Sequence, residues 1–99
     1  MINLKHVQQL AMAEPKSIME RMVKLQEEAG ELAQEVLIAH QSSGSKHKSA
    51  GRDGISGECV DVIIVALSIF FKGGHTEDEL NQLIGKKCQK WEKFQQTLT

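Results

Sequence analysis

The sequence predicts an all-α protein: a four-helix-bundle-type protomer that assembles into a homo-oligomer. Apolar residues recur at helical spacing along most of the chain, and no stretch alternates long enough with period two to indicate a strand. The eight glycines are mostly clustered and the one proline is Pro15, so breakers fall between the periodic stretches. With 99 residues, the chain is expected to form a single helical domain over residues 1–99.

The N-terminal half predicts two helices. A short first helix is expected to follow Asn3, which can cap it, and a second helix to begin with Pro15 in its first turn and to run to about His40. The second helix has an apolar face roughly 140° wide. Its members are Met22, Val23, Leu25, Ala29, Leu32, Ala33, Val36 and Leu37.

A loop is predicted at about residues 41–54, which are rich in Ser, Gly and Lys. This loop contains no GxxxxGK[ST] pattern and therefore does not indicate a P-loop. The third helix is expected over 54–72, with Asp53 as its cap and Gly73-Gly74 at its end. Polar residues occupy only about a quarter of its circumference, so we expect it to lie inside a bundle.

The fourth helix is predicted from a capping box, in which Glu79 reaches back to Thr76. Its apolar stripe is expected to be buried, and comprises Leu80, Leu83, Ile84, Cys88, Trp91, Phe94 and Leu98. The chain has only four predicted helices, one of them short, and these are too few to bury the largely apolar surface of the third helix. Partner helices are therefore expected from a homodimer or homotetramer.

The composition of the chain argues against several classes of protein. A net charge of −1 argues against a generally basic nucleic-acid binder. The longest apolar run, Val62 to Phe71, is about half the length that a bilayer requires, and the first fifteen residues lack the features of a signal peptide. Neither cysteine belongs to a CxxC pair. We therefore expect a cytoplasmic protein with no nucleic-acid or membrane partner.

The candidate site consists of carboxylates on two helices. In the third helix Glu58 and Asp61 lie three residues apart on its narrow polar stripe. In the second helix Glu28 and Glu31 have the same spacing. If the two helices pack antiparallel, four carboxylates converge on one point, and a bridging cation would relieve their repulsion. Oxygen ligands favour a hard ion, Mg²⁺ or alternatively Mn²⁺.

Other interpretations of these residues stay open. The acidic residues of the second helix are also typical of a solvated helix face, and Glu58 and Asp61 could favour the N-terminal dipole of their helix. An iron-carboxylate bundle is disfavoured, because no histidine follows a glutamate by three positions. Lys86, Lys90 and Lys93 share one side of the fourth helix, either as a solvated basic face or as contacts to phosphate.

The pattern EExxE followed by ExxD resembles the MazG-like all-α nucleoside triphosphate pyrophosphohydrolases. The first motif is Glu27-Glu28-Ala29-Gly30-Glu31 and the second is Glu58-Cys59-Val60-Asp61, with 26 residues between them. The surrounding segments, KLQEEAGELAQEV and GECVDVIIVALSIF, are similar to that family as well. The similarity extends over roughly residues 18–94.

The resemblance implies hydrolysis of the α–β phosphate bond of (d)NTPs to (d)NMP and pyrophosphate, with nucleotide-pool house-cleaning as the expected role. It implies that Mg²⁺ is held by Glu28, Glu31, Glu58 and Asp61, and that Glu27 positions or deprotonates the attacking water. Lys90, Trp91 and Lys93 are similar to the family's KF-x-R-type run, with Lys in place of the Arg that would bind phosphate in bidentate fashion. The alternatives are a sister dUTP or phosphoribosyl-ATP pyrophosphatase, or a non-catalytic helical dimerisation or regulatory module.

Overall fold

The computed structural model describes residues 2–40, 51 and 54–98, and these form helices joined by short turns, with no strand among them. The all-α prediction is therefore confirmed. The predicted loop at 41–54 lies outside the described residues except for Gly51 and Gly54. The helices are α1 (Leu4–Ala13), α2 (Ile18–Ala39), α3 (Gly54–Lys72) and α4 (Glu77–Thr97).

Side-chain caps fix where the first two helices begin. Asn3 caps α1 as predicted, since its Oδ1 accepts from the backbone N–H of His6 at 3.0 Å. The prediction that α2 begins at Pro15 is wrong, because Ser17 and Glu20 form a reciprocal capping box that starts the helix at Ile18. These two side chains satisfy N–H groups of the first turn, which fixes the helix start better than the favourable φ of proline does.

The junction between α3 and α4 follows the prediction. After α3 ends at Lys72, Gly74 has a φ of +93°, a left-handed conformation that glycine adopts without strain. Thr76 and Glu79 then form the predicted capping box of α4. The proposed cap of α3, Asp53, lies outside the described residues.

The buried arginine Arg21 joins the first three helices. Its side chain is 3% exposed, and it donates to the backbone carbonyls of Ala11 and Glu14 at 2.9 Å, Lys16 at 3.1 Å and Ser68 at 3.2 Å. The bond to Ser68 ties the beginning of α2 to the C-terminal half of α3. The two helices are therefore antiparallel, since the carboxylates of later α2 turns meet the beginning of α3.

The apolar core of the described chain is small. It consists of Ala11, Phe71 and Leu80, from α1, α3 and α4, with partly buried Leu4, Val7, Leu67 and Phe70 around it. Beyond Leu80, every described residue of α4 is exposed. The prediction of a buried α4 stripe is therefore wrong for the single chain: Trp91 is 62% exposed, and Leu83, Ile84, Phe94 and Leu98 are exposed as well.

The third helix is also less covered than predicted. Phe71 is its one fully buried residue, while Val60, Ile63 and Ile64 are each about half exposed. Among the described helices, α3 is long and apolar enough to cross a membrane by length and composition alone, a criterion that core helices of soluble proteins also meet.

Candidate metal centre

Three carboxylates converge between α2 and α3. Glu28 and Glu31 of α2 and Glu58 of α3 each offer an oxygen, and these oxygens lie within 4.8 Å of one another. The i, i+3 spacing puts the two α2 carboxylates on one face, and antiparallel packing brings them opposite the second turn of α3. Glu58 lies beyond the first turn of α3, so its position is not explained by the helix dipole.

Two carboxylates of the cluster have buried oxygens without a hydrogen-bond partner. Glu28 is 7% exposed, and its Oε2 is unpartnered. Glu58 is half-buried, and its Oε2 is unpartnered as well. An unpartnered carboxylate oxygen is unfavourable away from water, so this arrangement is suited to a cation.

A lysine that the sequence analysis did not single out lies at the edge of the cluster. Lys24 Nζ lies 3.0 Å from Glu28 Oε1 and 3.4 Å from Glu27 Oε1. The i, i+3 and i, i+4 spacings of these pairs were visible in the sequence and could have identified the contact.

Crowding of negative charge perturbs the cluster's acidity. The pKa of Glu58 is raised to about 7, first by burial and then by the charge of Glu31, with Glu28 and Asp61 adding to the rise. The neighbouring charge of Glu28, followed by burial, raises the pKa of Glu31. The hydrogen bond from Lys24 lowers the pKa of Glu28. Burial and the neighbouring carboxylates therefore favour the protonated form of Glu58.

A cavity of about 300 Å³ opens beside the cluster, and Glu31 and Glu58 form part of its wall. Glu35 lines the same cavity; it is 8% exposed, with one oxygen accepting from the Gly51 N–H at 2.6 Å and the other unpartnered. The sequence analysis did not single out Glu35, because its burial depends on the packing of Gly51 against it, which no local pattern shows.

The other predicted site residues lie outside this cluster. Glu27 is exposed and contacts Lys24. Asp61 is half-buried and close enough for its charge to raise the pKa of Glu58, but it is not one of the three clustered residues. Lys86, Lys90 and Lys93 are exposed on α4, and none of them lines the described cavity.

The donor set fits a hard divalent cation. All the converging ligand atoms are carboxylate oxygens. Two oxygens on opposite sides of one Mg²⁺ stand about 4.2 Å apart, given Mg–O distances of about 2.1 Å. The oxygens of Glu28, Glu31 and Glu58 lie within 4.8 Å of one another, so a shared ion would draw these side chains closer together.

Scans of protein-family models, of curated proteins and of solved structures each return no match for this chain. The resemblance to MazG-like enzymes therefore stays a prediction from the two sequence motifs.

Proposed function

We propose that this chain is a Mg²⁺-dependent nucleoside triphosphate pyrophosphohydrolase, which cleaves the α–β phosphate bond to yield a nucleoside monophosphate and pyrophosphate. The observation that carries the proposal is the convergence of Glu28, Glu31 and Glu58 from two helices, with unpartnered buried oxygens and an adjoining cavity. Its second support is the EExxE…ExxD pattern, of which these residues form part.

In this proposal the cluster residues hold the ion, and Asp61 completes the acidic set from one turn further along α3. A bound Mg²⁺ supplies charge neutralisation and orientation of the triphosphate. Glu27 accepts a proton from the attacking water, a role that suits an exposed carboxylate at the edge of the cluster. The water oxygen bonds to the α-phosphorus as the bond from that phosphorus to the α–β bridging oxygen breaks. Pyrophosphate then leaves with the electron pair of the broken bond.

Lys24 is placed where it could also bind the substrate. Its ammonium lies beside Glu27 and Glu28, where it can contact a phosphate oxygen of a nucleotide bound at the ion. Lys86, Lys90 and Lys93 could contribute only if α4, from this chain or another, approached the cavity.

The test is pyrophosphate release from a panel of NTPs and dNTPs, with Mg²⁺ and with EDTA. We expect release with Mg²⁺ and none with EDTA, and a loss of at least about 100-fold in Glu31→Gln, since removing an electrostatic group of an active site typically has this effect. Glu92→Gln on exposed α4 is the matched control and should retain full activity.

Each other outcome has a definite meaning. Orthophosphate release would mean that a different bond is cleaved. No release from any nucleotide would refute the proposed activity and favour a non-catalytic module. Full activity of Glu31→Gln would refute the assignment of the site.

A further inference from the structure

Glu35 is a buried carboxylate with only one of its two oxygens paired. Its side chain lies in α2, and the residue is 8% exposed. Oε1 accepts from the Gly51 N–H at 2.6 Å, whereas Oε2 is buried without a partner among the described residues. A buried acceptor that lacks a donor is unfavourable, and nearly all such groups in native proteins are paired. A donor that binds Oε2 is therefore expected.

The contact with Gly51 fixes the orientation of the Glu35 carboxylate. A Cβ at residue 51 would collide with Glu35 Oε1, and the φ of Gly51 is not left-handed. Space, rather than backbone conformation, therefore favours glycine at this position. A carboxylate can accept at both oxygens, so fixing Oε1 orients the group and leaves Oε2 available to a ligand.

The cavity of about 300 Å³ extends from the acidic cluster along α2 to Glu35 and Ile38. Four residues of helix advance about 6 Å, so Glu35 lies one turn beyond Glu31, whose oxygen belongs to the proposed ion site. The side chains of Gln34 and Ile38 also line the cavity. A cavity of this size that combines apolar and hydrogen-bonding side chains is typical of a small-molecule site.

The charges along α2 determine what kind of group can reach Glu35. Lys24 lies on the N-terminal side of the cluster, in contact with Glu28. The described lining of the cavity contains three carboxylates and no cation. A phosphate would therefore be repelled from the cavity and attracted towards Lys24. Glu35 is also not one of the three residues whose oxygens converge for an ion. The donor to its Oε2 is therefore uncharged, a hydroxyl or an N–H group.

We propose that Glu35 accepts a hydrogen bond from a sugar hydroxyl of the nucleotide and is a specificity-determining residue. This inference rests on the proposed function. With the α-phosphate at the ion and the β- and γ-phosphates towards Lys24, the other end of the nucleotide points along the cavity. The sugar is attached directly to the α-phosphate, so it reaches Glu35 before the base does. The base then lies further along, towards Ile38.

Pyrophosphate release in Mg²⁺ from the ribo, 2′-deoxy, 3′-deoxy and 2′,3′-dideoxy forms of ATP, CTP, GTP and UTP measures this contact. In the wild type, removing the bound hydroxyl should lower kcat/KM at least about tenfold within each base series, because the buried acceptor is then left unpaired. Glu35→Ala should lower kcat/KM by at least about tenfold for substrates that carry the hydroxyl. The same variant should not lower kcat/KM for the dideoxy forms.

Two further variants separate the hydrogen bond from general effects. In Gly51→Ala the added Cβ displaces Glu35 Oε1, so the preference for the hydroxyl should weaken although the carboxylate is retained. Glu92→Ala, on exposed α4, is the matched control and should keep the wild-type preference. Circular dichroism checks that each variant remains helical.

Four results would overturn the inference. A wild type that hydrolyses all sugar forms equally would refute the contact and leave the proposed function standing. An equal loss on every substrate in Glu35→Ala would mean that Glu35 has a structural role only. A loss that differs between bases but not between sugars would mean that a base N–H is the donor. No release from any nucleotide would refute the proposed function itself, and this inference with it.

Discussion

Replacing Glu58 with glutamine tests the acidic cluster most directly. Glu58→Gln keeps the size of the side chain but removes the group whose pKa is raised from 4.5 to about 7. Because the folded state holds this proton more tightly than the unfolded chain does, the metal-free protein should lose stability as pH rises from about 4.5 to about 7. Glutamine cannot ionise, so the variant should escape this loss and melt at a higher temperature than the wild type at pH 8 in EDTA.

A divalent cation should make the wild type melt at a higher temperature than Glu58→Gln, because the cation binds the ionised cluster. With a pKa of about 7, Glu58 is mostly protonated at pH 6 and mostly ionised at pH 8. If the cation binds only the ionised form, the apparent Mg²⁺ affinity of the wild type should rise about tenfold between these pH values. Thermal melts at both pH values, over a range of Mg²⁺ concentrations, measure the stability and the affinity together.

Two outcomes would refute this reasoning. One is a melting difference between wild type and Glu58→Gln in EDTA that does not change between pH 5 and pH 8. The other is equal stabilisation of both proteins by Mg²⁺, which would mean that Glu58 does not bind the ion. Glu92→Gln, exposed on α4, controls for the loss of one negative charge and should match the wild type throughout.

Three further substitutions test other parts of the structure. Lys24→Gln removes the ammonium that contacts Glu28, so Mg²⁺ no longer competes with it for this carboxylate and the affinity measured by calorimetry should increase. We expect an increase of at least about fivefold, the upper end for exposed pairs, since the Glu28 side chain is only 9% exposed; a decrease would contradict this competition. In Arg21→Lys, one ammonium replaces the three guanidinium nitrogens that reach four carbonyls, so some of these carbonyls lose their donor. The free energy of unfolding should fall by about 3 kcal/mol in urea titrations, whereas an unchanged midpoint would contradict the linking role of Arg21. Ser17→Ala removes the α2 cap and should lower the same quantity by about 1 kcal/mol, with no effect on the Mg²⁺ response.

Much of the local structure could be predicted from the sequence. The spacing of apolar residues and the capping residues Asn3 and Thr76 are local signals, and they correctly gave an all-α chain and the beginnings of two helices. The beginning of α2 was misplaced because Pro15 and Ser17 both suit a helix start, and the Ser17–Glu20 capping box decides between them. The convergence of Glu28 and Glu31 with Glu58 could be predicted only on the condition that α2 and α3 pack antiparallel.

What the sequence by itself determined is the set of faces that each helix carries, since 3.6 residues per turn fixes which side chains share a side. What each face contacts was decided by the tertiary structure. Arg21, anchored to carbonyls from both sides of the α1–α2 turn and from α3, turns the charged side of α2 inward and brings Glu28 and Glu31 to Glu58. The same packing leaves Met22, Val36 and Ile63 exposed. A helical wheel shows which residues share a face of one helix. Only the packing of several helices against one another decides which face is buried.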